Sequence, residues 1–108
     1  MSYNIEVTAL FEKQLKRLSK KFPSLKKEYL ELIGLLKTNP KEGTPIGNNC
    51  YKIRVAIASK GKGKSGGARV ITHVKITRTK IYLLSIYDKS EQSDIDDSDL
   101  NDWVKMID

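Results

Sequence analysis

Sulfur, imidazole and proline are scarce in this chain, with one cysteine, one histidine and three prolines among 108 residues. The lone Cys50 excludes an intramolecular disulfide. With His73 as the only imidazole, no conventional zinc set of Cys and His ligands can be assembled within one monomer. No metal and no cofactor are expected, and a reducing compartment suits the single thiol. A long apolar run is also missing. The opening stretch MSYNIEVTALFEKQLKRL breaks its apolar positions with charge, unlike a secretory leader, and no later segment approaches the ~20 apolar residues a membrane-spanning helix needs. The expectation is a cytoplasmic protein without membrane contact, folded as a single domain over residues 1–108, one modest core's worth of chain.

Acids are missing where they would matter most. Residues 1–42 hold nine Lys/Arg and five acids, residues 43–87 hold nine Lys/Arg and no acid, and residues 88–108 hold two Lys and eight acids. The net charge of +7 is therefore segregated along the chain. An acid-free block of 45 residues is a footprint for a polyphosphate, because each neutralised phosphate releases condensed counterions. Charge alone equally suits an acidic protein partner. The acidic tail is read as a solvated helix flank; folded back on the basic block, it would tune affinity for RNA or leave part of that surface to a partner.

Local patterning predicts the order β-α-α-β-β-β-α. Residues 3–7 alternate as a short strand, and Thr8 is placed to cap a helix whose apolar positions are Phe11, Leu15, Leu18 and Phe22. Leu25, Tyr29, Leu32, Ile33 and Leu36 form a second stripe that ends at Asn39-Pro40, giving a helical hairpin. Residues 41–49 read as a loop. Strands follow over 51–57, 68–76 and 81–87, the last two joined by a short hairpin connection at 77–79. Leu100, Trp103, Val104 and Ile107 then make a short amphipathic helix with an acid-rich first turn. The fold class is α+β: a twisted, mainly antiparallel sheet, a helical hairpin on one face and a short C-terminal helix. The other sheet face is expected to be open.

On that face the chemistry collects. Alternation sets Lys52 and Arg54 opposite Ile53 and Val55, and sets Arg69, His73 and Lys75 opposite Val70, Val74 and Ile76. Between the two strands runs ASKGKGKSGGAR. Residues 58–65 miss the phosphate-binding pattern GxxxxGK[ST] only at its first position, but Gly-Gly and a strand follow where that motif needs a helix N-terminus. A nucleotide-binding loop is rejected on that ground. Alternating Lys and Gly suit an irregular phosphate backbone instead, and Lys60, Lys62 and Lys64, with Lys75 and Lys89, are the expected RNA contacts. Loop and face together predict one continuous basic surface.

Three segments, Tyr51-Lys52-Ile53-Arg54-Val55, SKGKGKSGGARVI and IYLLSIYDKSEQSD, resemble the RelE/ParE superfamily of toxins, and within it the HigB/RelE-like branch. The likeness covers roughly residues 25 to 102. It implies the toxin of a type II toxin–antitoxin system, a metal-independent endoribonuclease that enters the ribosomal A site, cuts mRNA there and is silenced by a cognate antitoxin. RNA cleavage of this kind uses the substrate's own 2′-OH as nucleophile, so the protein has only to move protons and stabilise the phosphorane. By the resemblance, Arg69 stabilises the charged phosphate, and Lys52 and Arg54 are the basic pair of the preceding strand. Lysine in that pair serves as phosphate anchor or, with its pKa lowered by like charges, as proton acceptor.

The chain departs from the family pattern after its last strand. Where relatives carry an arginine and then a tyrosine, it has Ser90 or Gln92 and then Asp96, which leaves the catalytic set incomplete. Tyr87, Lys89 and Glu91 are near enough in sequence to substitute, and His73 is a candidate general base at neutral pH. Two other functions fit the same residues. ParE-type toxins share the fold but inhibit gyrase, and a non-catalytic RNA-binding domain needs only the charge.

Overall fold

A computed structural model describes residues 3–60 and 66–107 of the chain. Strand β1 (Asn4–Val7) runs into Thr8, whose hydroxyl accepts the N–H of Phe11 at 3.2 Å and so caps helix α1 (Ala9–Lys21). The same hydroxyl donates to the carbonyl of Leu83 at 3.0 Å, which fixes the start of the helix to the sheet. Helix α2 (Leu25–Thr38) completes the expected hairpin, and both helices bury the positions their spacing marked, Phe11 and Leu18 on one and Leu25, Leu32 and Leu36 on the other.

Strands β2 (Thr44–Gly47), β3 (Cys50–Val55), β4 (Ala68–Lys75) and β5 (Lys80–Asp88) join β1 in a sheet of order β1-β5-β4-β3-β2. β1 lies parallel to β5, and the other pairings are antiparallel. Helix α3 (Asp97–Ile107) closes the chain. Thus the α+β class and the order of elements hold, with one strand added. Residues 41–49 are not all loop: β2 pairs with the start of β3 through the two-residue turn Asn48-Asn49, both at positive φ. That left-handed pair is what a tight hairpin demands, and Pro45 is tolerated because β2 is an edge strand.

The expectation of an open sheet face also needs correcting. One face packs on the helical hairpin through Ile53, Val70, Ile81, Leu83 and Ile86. The other, formed by Cys50, Ile71, Tyr82, Leu84 and Tyr87, is partly covered by Leu100 and Trp103 of α3. The apolar stripe of α3 needs a partner, and Ile71, Tyr82 and Leu84 provide it on the face that strand parity had reserved for charge.

Two local features set which side chains reach that face. Gly67 sits so close to β3 that an added Cβ would lie 2.1 Å from the carbonyl oxygen of Val55, so glycine alone permits β4 to begin there. In β5 the register shifts: Ile71 faces Ser85 while Thr72 faces Leu83, leaving Leu84 as an extra residue. This bulge reverses the alternation, so that Ile86 faces the hairpin and Tyr87 the opposite side.

Candidate functional site

The sheet register lines up three residues across β3, β4 and β5. Arg54 lies opposite Arg69, and Arg69 lies opposite Tyr87. Neighbouring strands are about 4.8 Å apart, so the row spans roughly 10 Å, the size of a phosphodiester with its two sugars. Two arginines directly opposite each other repel, and an anion between them relieves the repulsion. Arg54 is exposed, whereas Arg69 is buried and donates to the carbonyl of Ala68 at 3.2 Å. Lys52 is on the same face one row further along, opposite Ile71.

Tyr87 is the unusual member of the row. Its hydroxyl is buried and has no hydrogen-bond partner among the described residues. Burial raises its pKa, the negative charge of Asp94 adds to the rise, and the positive charge of Arg69 opposes it. Leaving a buried hydroxyl unpaired costs about 1–3 kcal/mol, so its retention beside an arginine suits a group whose partner is a substrate. At neutral pH it carries its proton and is an acid.

The loop after β5 brings acids to this basic face. Lys52 Nζ is 3.2 Å from Asp94 Oδ1. Lys89 Nζ donates to the carbonyl of Ser93 at 2.6 Å, so this lysine ties its own loop together. Lys60 is turned inward: its ammonium meets the buried Asp88 carboxylate and the Ser90 hydroxyl. Burial raises the Asp88 pKa, but hydrogen bonds from Lys60 and from the Ser90 N–H, with the charge of Lys60, outweigh it and bring the pKa below its ordinary value. Glu91 points toward α1, where it takes Arg17 at 2.9 Å and Lys21 at 3.5 Å. Among the described residues, the basic surface expected from sequence is therefore interrupted by Asp94 at Lys52 and, from the end of β5, by Asp88 at Lys60. Of the three nearby substitutes, Tyr87, Lys89 and Glu91, only Tyr87 stands in the arginine row.

His73 shares the face but not the row. It lies opposite Cys50 and Tyr82, four positions along β4 from Arg69, or roughly 13 Å at strand spacing. Its Nδ1 is 3.5 Å from Cys50 Sγ, its ring tilts against Tyr82, and it is buried, which describes a packed core histidine. Burial pushes the Cys50 thiol up to about 11, so it is protonated and inert at neutral pH. Lys75 stands beyond His73 at the end of β4, opposite Lys80. Lys62 and Lys64 fall outside the described residues. Among the described residues no group of three or more His, Cys, Asp or Glu is placed to hold a metal ion, and no helix is long and apolar enough to cross a membrane.

Sequence reasoning missed Asp94 and Asp88. Both sit in a run of acids that reads as a solvated flank, and nothing in that run distinguishes the two that meet lysines from those that meet water. Gly67 was legible only as part of a glycine pair, because its need comes from the approach of a second strand.

Solved structures share this architecture at low identity. A free variant of the Escherichia coli toxin RelE aligns with TM-score 0.63 and 15% identity over 99% of each chain. The isolated E. coli RelE toxin aligns with TM-score 0.57 and 20% identity, over 98% of this chain and 99% of that one. The toxin–antitoxin complex RelBE2 of Mycobacterium tuberculosis gives TM-score 0.58 and 15% identity over 82% of this chain and 99% of the matched one. The family model described as the RelE toxin of the RelE/RelB toxin–antitoxin system matches residues 11–107. With nearly the whole chain matched, the arginine row and the sheet that carries it are those of a member of the RelE toxin family, to which this chain belongs.

Proposed function

We propose that this toxin is a metal-independent endoribonuclease of the bacterial cytoplasm that cuts mRNA in the ribosomal A site and is held inactive by a cognate antitoxin. The observation that carries the reading is the row Arg54–Arg69–Tyr87, in which two arginines and a tyrosine whose hydroxyl has no hydrogen-bond partner among the described residues are cross-strand neighbours. In the cleavage step the 2′-hydroxyl gives its proton to a solvent water and its oxygen forms a bond to phosphorus, as the bond from phosphorus to the 5′-oxygen breaks. Arg69 bears the charge that builds on the phosphoryl oxygens, Arg54 and Lys52 anchor the backbone, and the Tyr87 hydroxyl gives its proton to the departing 5′-oxygen. The ribosome supplies the mRNA in a splayed single-stranded form, which a shallow face could not impose alone. The antitoxin's task is then to cover the cationic row, for which an acidic segment is the simplest device.

The test is mRNA cleavage in a purified translation system, with ribosome-free RNA as control. Wild type should cut only on ribosomes, and Arg69→Ala should lower the single-turnover rate at least about a hundredfold while leaving ribosome binding measurable. Equal cutting by Arg69→Ala would remove the assigned role. Absence of cutting by wild type, with DNA damage on expression, would replace the nuclease by the gyrase-poison reading.

A further inference from the structure

Arg69 and Tyr87, the residues assigned charge stabilisation and proton donation above, are both buried: Arg69 is 5% exposed and Tyr87 4%. The loop after β5 reaches this face beside Tyr87, where Ile95 packs on the cluster that holds the tyrosine ring and the charge of Asp94 is felt. That loop is knitted to itself. Gln92 Nε2 donates to the Asp94 carbonyl at 2.9 Å, Lys89 donates to the Ser93 carbonyl, and the Asp94 carboxylate accepts the Ile95 N–H at 2.9 Å. The turn thus fixes a carboxylate that faces Lys52, with an oxygen 3.2 Å from Lys52 Nζ and its charge felt at Tyr87.

A carboxylate and a phosphodiester both present two oxygens and one negative charge. We propose that Asp94 is an internal phosphate mimic, occupying at Lys52 the subsite of an RNA phosphate beside the scissile one, so that the 89–96 loop must lift before RNA binds. This rests on the RNA-cleaving reading of the site. Exposure separates this contact from the neighbouring one. Lys60 and Asp88 side chains are 10% and 1% exposed, a permanent fixture, whereas Lys52 and Asp94 are 27% and 61% exposed. A pair at the solvent boundary breaks at small cost, which a latch requires. Lifting the loop would also withdraw Ile95 from the cluster that holds the Tyr87 ring, so one motion frees an anchor and loosens the packing around the acid.

Asp94→Asn tests the idea, because it removes the charge and keeps the oxygen that accepts the Ile95 N–H. The probe is a short single-stranded RNA, with affinity read by fluorescence anisotropy at low salt and cleavage on programmed ribosomes read in parallel. Asp94→Asn should bind about two- to fivefold more tightly than wild type, the range expected for one boundary ion pair, and Asp94→Glu should return to the wild-type value. Faster cutting by Asp94→Asn at limiting ribosome concentration should accompany this. Unchanged or weaker RNA binding by a folded Asp94→Asn protein overturns the mimic and makes Asp94 a residue that holds Lys52 in place. Tighter RNA binding with no cutting by any variant keeps the mimic and removes the nuclease.

Discussion

At the scale of single residues, the acid role proposed for Tyr87 sets activity against stability. The hydroxyl is buried and finds no hydrogen-bond partner among the described residues, while the ring packs with Ile71, Leu84 and Leu100. Tyr87→Phe keeps the ring and removes the unpaired group. We expect it to leave the urea midpoint unchanged or to raise stability by up to about 1 kcal/mol, and to slow mRNA cleavage by about a hundredfold or more. A loss of stability without a loss of rate would show that the hydroxyl serves the fold. Arg69 shows how much of this was legible. Its identity and strand position follow from sequence, but its burial and its place between Arg54 and Tyr87 follow from the register. His73 is the reverse case: same strand and same face, but a place two rows away beside Cys50, outside the arginine row.

At the scale of elements, the bulge and the glycine before β4 decide what the site contains. Without the extra residue at Leu84, strict alternation from Ile81 would send Tyr87 toward the helical hairpin, away from Arg69. Gly67 sets the other edge of the row, since β4 can approach β3 only where no side chain intervenes. Gly67→Ala would place its Cβ 2.1 Å from the Val55 oxygen, so the strands must separate. We expect a loss of roughly 2–4 kcal/mol in denaturant unfolding, with cleavage reduced in the protein that remains folded, because Arg54 and Arg69 are the next pair but one along that ladder. An unaltered unfolding curve would mean that the loop re-forms around the methyl group at little cost.

At the scale of the whole molecule, segregated charge is folded back on itself. The acids of residues 88–94 meet cations from three other parts of the chain: Asp88 meets Lys60, Glu91 meets Arg17 and Lys21, and Asp94 meets Lys52. Asp88, Glu91 and Asp94 all have pKa values below their ordinary ones. A depressed carboxylate stabilises the fold fully above its unfolded pKa, and the contribution is lost as pH falls through the folded value. The acid limb of stability should therefore decline below about pH 4, and should be flat from there to neutrality as far as these groups are concerned. Glu91 and Asp94 are solvated enough to add little, so the buried Asp88 dominates. Asp88→Asn should cost about 3 kcal/mol at pH 7, because it leaves Lys60 buried without a counter-charge, and should shrink the acid limb measured by thermal melts across pH. An acid limb of undiminished depth in that variant would assign the pH dependence elsewhere.

What the sequence by itself determined is what depends on neighbours in the chain. Helical spacing marked the cores of α1 and α2, alternation separated Lys52 and Arg54 from Ile53 and Val55, and the quoted motifs carried the likeness to RelE toxins. The two-residue Asn48-Asn49 turn was also present in the sequence, though its short edge strand was read as loop. What only the tertiary structure decided is what depends on partners distant in the chain. A one-residue bulge places Tyr87 on Arg69's side, the stripe of α3 covers a face that parity had left open, and Asp94 closes on Lys52 from 42 residues away. Local periodicity fixes which way a side chain points along its own element. Which charges then meet is fixed by strand register and loop closure, and composition carries no record of either.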